Sequence, residues 1–114
     1  MIKHELAHVF FKIVSQFKYQ PIWLWEGVSL YLAGQNTTRK KPERLKGFLE
    51  HYDDHAPVVY HESGFAIEYI VKKHGKVKLM RLIKSLKDIK SKEKFKKKFK
   101  DIYGFLPEYK YFQD

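Results

Sequence analysis

The sequence predicts a mostly α protein, a bundle of about five to seven short helices in one domain spanning residues 1–114, on three observations. Apolar residues return at three- and four-residue steps in one segment after another. No segment alternates with period two long enough to demand a strand. Glycines and prolines stand where such helices would stop and start. At 114 residues the chain can bury one core but not two. Its 44% apolar and 32% charged residues separate it from disordered and fibrous chains.

The first helix is read over Ile2 to Phe17, where Ile2, Leu6, Val9, Phe10, Ile13 and Phe17 share one face. Pro21 suits the first turn of a second helix, because its missing N–H has no helical partner there in any case. That helix runs from about Ile22 to Ala33 and stops at Gly34. Residues 35–41 read as a polar loop, after which Pro42 opens a short helix carrying Leu45, Phe48 and Leu49. Asp53 to Pro57 reads as a second loop. A helix from Glu62 to His74 carries Phe65, Ala66, Tyr69 and Ile70, with Gly75 placed for a left-handed cap. Lys76 to Leu86 shows Leu79, Leu82, Ile83 and Leu86 on one stripe, and a last helix brings Phe95, Phe99 and Ile102 together before Gly104. Pro107 begins a short aromatic tail.

Cysteine is absent, which excludes disulfides and thiolate metal sites, so any zinc must be held by carboxylates and the six histidines. The net charge of +10 favours anionic partners without choosing one. No apolar run reaches the roughly eighteen residues of a membrane span, so no transmembrane segment is expected. The opening Met-Ile-Lys-His-Glu lacks the apolar stretch of a secretory signal, and read as it stands the chain is expected in the cytoplasm.

Chemistry is concentrated near the start. His4-Glu5-Leu6-Ala7-His8 is an H-E-x-x-H sequence inside a segment that periodicity already makes helical. Residues four apart on a helix are separated by about 40° and roughly 6 Å, so both imidazoles can address one metal ion. Glu5 lies about 100° from His4, placed as general base and not as ligand. Hydrolytic zinc takes about three protein ligands and keeps a fourth position for water, which leaves two histidines one ligand short. The second helix offers Glu26, beside Gly27, which would let the two helices approach closely, and just after Trp23 and Trp25, which would wall the site with apolar surface. One zinc per chain on His4, His8 and Glu26 is the expected cofactor.

His4-Glu5-x-x-His8 followed by Trp23-Leu24-x-Glu26-Gly27-x-Ser29-x-Tyr31 resembles the zinc core of gluzincin peptidases, closest to the M1 aminopeptidases and the peptidase-MA-like proteins. The spacer between His8 and Glu26 is one residue shorter than in the aminopeptidase pattern. The resemblance implies that the histidines and Glu26 bind zinc, that Glu5 activates a zinc-bound water, and that the substrate is a peptide or protein. It places the zinc motif at residues 4–31 and a helical continuation at 60–114. It also implies the helical half of a zincin catalytic domain, whose sheet-bearing N-terminal half has no counterpart in this sequence. Leu30 stands where some members place a carboxylate that orients a histidine.

Other residues admit competing readings. Tyr60 is a candidate phenol donor to the oxyanion, against a core or interfacial aromatic, and His61 is a neighbouring alternative. His51 and His55 stand four apart, but Asp53, Asp54 and Pro57 favour a loop over a second metal site. His74 is read as a cation at a helix C-terminus. The run Lys84 to Lys100 holds nine lysines against Asp88 and Glu93, by default a solvated face and otherwise a contact for an anionic surface. No nucleic-acid motif accompanies it, so nucleic acid is not the expected partner. Alternatives to a working peptidase are a zinc-binding but inactive remnant and a basic helical interaction module.

Overall fold

The structure, a computed structural model, describes residues 8–12, 15 and 20–114. It is a small, mostly helical bundle with no strand among the described residues. The first helix, α1, is described at residues 8–12 and 15. It is followed by α2 (Ile22–Leu32), α3 (Pro57–His74), α4 (Lys76–Ser85) and α5 (Lys92–Tyr103). Single 3₁₀ turns lie at Gln35–Thr38, Phe48–Glu50, Leu86–Asp88 and Tyr109–Tyr111. No helix among the described residues is long and apolar enough to cross a membrane.

Helix α2 is buried on almost every side, from Ile22 through Leu30 with only Trp25 half-buried, as a helix apolar all round must be. Its first orphan N–H groups are taken by the loop after residue 50: Ile22 donates to the Tyr52 carbonyl at 2.8 Å and Trp23 to that of His51 at 3.4 Å. Trp23 is the centre of the core, with Phe48, Phe95 and Phe112 edge-on to its indole at 5.3, 5.8 and 5.9 Å. Helices α4 and α5 bury the predicted stripes, Leu79, Leu82 and Ile83 on one and Phe95, Phe99 and Ile102 on the other. Ser91 caps α5 by accepting from the Lys94 N–H. The lysines from 84 to 100 stand exposed, apart from the partly buried Lys96.

Three expectations are revised. The helix expected after Pro42 is irregular chain with one 3₁₀ turn, because the N–H groups of Lys46, Gly47 and Phe48 donate to the buried Glu62 carboxylate and not to carbonyls one turn back. Helix α3 begins at Pro57 and not at Glu62: proline fits its first turn and holds Ala56 extended before it. His74 stands in the last turn of α3 as expected, but its surroundings work against the charge that a helix dipole would favour. Its ring packs against Tyr103 and Phe105 at 5.6 and 5.4 Å, and burial first, then Lys78 and Lys73, push its pKa down.

Tyr103, 5% exposed, has its hydroxyl inside the core, and burial pushes its pKa far above the ordinary tyrosine value. A group whose pKa is higher folded than unfolded holds its proton longer in the native state. Stability is therefore flat below the unfolded value of about 10 and falls as pH rises past it. Urea midpoints measured across the alkaline range should drop in the wild type and drop less in Tyr103→Phe. Parallel curves for the two proteins would show that Tyr103 is not responsible.

Candidate metal centre

Glu26 sits on the fifth position of α2, 6% exposed, with its two carboxylate oxygens turned to two different imidazoles. Oε1 lies 3.3 Å from Nε2 of His8, on α1. Oε2 lies 3.7 Å from Nδ1 of His55, which comes from the loop that the α2 N-terminus draws in through Tyr52 and His51. Trp25 forms the wall between them. Its indole stacks on the His8 ring at 4.1 Å and meets the His55 ring edge-on at 5.8 Å.

On its other side His8 is tied to α2 a second time, with Nδ1 at 2.7 Å from the hydroxyl of Ser29. Ser29 is fully buried, and the same hydroxyl donates to the Trp25 carbonyl at 2.8 Å. One face of α2 thus supplies a carboxylate, an aromatic wall and a hydroxyl to one imidazole, because residues 25, 26 and 29 lie within about one helical turn of each other.

The predicted ligands His8 and Glu26 are brought together across seventeen intervening residues. His4 and Glu5, the other half of the expected site, lie outside the described residues. Among the described residues no group of three His, Cys, Asp or Glu side chains is gathered around a common point. Tyr60 lies in the first turn of α3, 43% exposed, with the Arg39 guanidinium 4.8 Å over its ring and donating to its backbone carbonyl. His61 is exposed on the same helix.

His51 and His55 do not form a pair. His51 bonds through Nδ1 to Asp54 at 3.0 Å, while His55 turns to Glu26. The four-residue spacing means a common face only on a helix, and this segment is not one. His55 and Ser29 are the neighbours of the site that sequence reasoning missed. The only sequence signal for either was a loop histidine beside acids and a serine one turn after Glu26.

No family model, curated protein or solved structure matches this chain.

Proposed function

We propose that the chain is a gluzincin-type zinc metallopeptidase, with His4, His8 and Glu26 as metal ligands and Glu5 as general base. The single observation in its favour is the separation of His8 Nε2 and Glu26 Oε1, 3.3 Å. A charge-assisted hydrogen bond between such atoms closes to about 2.7–2.9 Å. Two ligand atoms each about 2.0–2.1 Å from one tetrahedral zinc stand about 3.4 Å apart. The pair is thus spaced about as two ligands of one ion would be. A nitrogen and a carboxylate oxygen, with no thiolate in the chain, also fit the mixed donor set of hydrolytic zinc.

Zinc there would supply Lewis acidity, which acidifies water and polarises a carbonyl. Glu5 would take the proton of the attacking water and return it to the leaving amine as the peptide C–N bond breaks. Trp25 would keep solvent from one side of the reacting centre, which strengthens every electrostatic contact inside.

Elemental analysis of protein purified without added metal should find about one zinc per chain, falling to background in Glu26→Ala. Glu5→Gln should keep its zinc and cleave an unfolded peptide about 10²–10⁴-fold more slowly. A wild-type chain that takes up no zinc even when it is added would remove the proposal, and the exposed lysines of α5 would then be the feature to explain. Zinc without cleavage would leave a metal-binding chain that is not an enzyme.

A further inference from the structure

We infer that Ser29 is a positioning residue for this site: its hydroxyl holds His8 as the Nδ1–H tautomer and so presents the lone pair of Nε2, beside Glu26, to a divalent cation. For the nature of the ion this rests on the reading just proposed. For the tautomer it rests on counting protons.

Ser29 Oγ lies 2.8 Å from the Trp25 carbonyl oxygen and 2.7 Å from His8 Nδ1. A hydroxyl has a single proton to donate and a carbonyl has none. Two oxygens at 2.8 Å with no hydrogen between them repel, so the proton lies on the line to Trp25. Oγ therefore meets Nδ1 as an acceptor, and Nδ1 must carry the hydrogen. In a neutral imidazole the other nitrogen then bears the lone pair, and here that nitrogen is Nε2, 3.3 Å from Glu26 Oε1. Two acceptors turned toward one another are complementary to a cation. A metal-ligating histidine characteristically has its second nitrogen donating to such a partner, which fixes both tautomer and ring orientation.

The surroundings make the arrangement stiff. A mid-helix serine that bonds back to the carbonyl four residues earlier is ordinarily a minor defect. Here that back-bond aims the oxygen lone pairs outward at α1. Ser29 is fully buried, so bulk water does not compete for its lone pairs. The Trp25 indole stacked on the imidazole resists rotation of the ring.

Long-range proton–nitrogen NMR spectra of the metal-free wild-type chain, labelled in its histidines and held at a pH where imidazole is neutral, test this directly. His8 is assigned by the signal lost in His8→Gln. The expected result is Nδ1–H for His8 in the wild type and a shift toward the Nε2–H form in Ser29→Ala. Zinc affinity, measured by competition with a chromophoric chelator, should fall about 10–100-fold in Ser29→Ala and recover in Ser29→Thr, which keeps the hydroxyl. An Nε2–H His8 in the wild type, or equal zinc affinity in a folded Ser29→Ala, would overturn the inference. Should Ser29→Ala fail to fold, the wild-type spectrum decides alone. A chain that takes up no zinc would remove the metallopeptidase reading, while the tautomer would still uphold or overturn the role of Ser29.

Discussion

Glu62→Ala is expected to lower the free energy of unfolding by about 3–5 kcal/mol, the cost of stranding several buried backbone donors at once. The Glu62 carboxylate is 5% exposed and is filled by backbone donors. Oε1 accepts from Lys46, Gly47 and Phe48 at 3.1, 2.9 and 3.1 Å, and Oε2 from Lys46 at 3.2 Å. Alanine would leave those N–H groups facing a void, and each stranded donor costs about 1–3 kcal/mol unless water enters. The loss would spread, because the same three residues carry Phe48 into the ring around Trp23. Glu62→Gln keeps an oxygen for the three closest donors and loses the charge, so its effect should be smaller, about 1–2 kcal/mol. Urea unfolding followed by circular dichroism gives both values. An alanine variant within about 1 kcal/mol of wild type would mean that the loop does not depend on this carboxylate.

Gly27→Val should be comparably damaging, beyond about 3 kcal/mol, with Gly27→Ala about 2 kcal/mol. A Cβ at Gly27 would sit 2.7 Å from Cγ1 of Ile67 and 2.8 Å from the Ser63 carbonyl oxygen. The isoleucine is fully buried and the carbonyl is α3 backbone, so neither can turn aside and α2 must move away. Alanine gains about 1 kcal/mol in helix propensity, too little to offset the clash. Glu26 moves with its neighbour, so the proposed zinc site should bind more weakly even in an alanine variant that stays folded. Urea midpoints and metal competition on the same protein check both effects. Unchanged stability with alanine would show that α2 and α3 can separate freely.

This glycine also shows where sequence reasoning reached and where it stopped. A glycine beside a candidate ligand signals close backbone approach, and approach is found. It is α3 that comes close, whereas the expectation was α1, since a missing side chain names no partner. Periodicity located α4 and α5 because their apolar stripes are set by local geometry alone, whereas α2, apolar all round, was bounded by Pro21 and Gly34. It misread residues 42–50 for the same reason: Leu45, Phe48 and Leu49 are spaced like a helix, but the donors that would close it are claimed by Glu62, about fifteen residues away. The apposition of His8 and Glu26 was legible through motif spacing. The neighbours of that pair were not, because Ser29 and His55 act through contacts over twenty-one and twenty-nine positions that leave no periodic trace.

The chain's two tryptophans stand two positions apart on α2 and face different worlds. Trp23 is sealed among phenylalanines, so its fluorescence belongs to the interior and changes when that interior opens. Trp25 lies 4.1 Å from an imidazole, a group that quenches indole emission by contact, so its brightness follows whatever engages His8. One helix therefore carries two optical reporters with separate subjects, the integrity of the bundle and the surroundings of His8. Removing either indole leaves the other to be read alone.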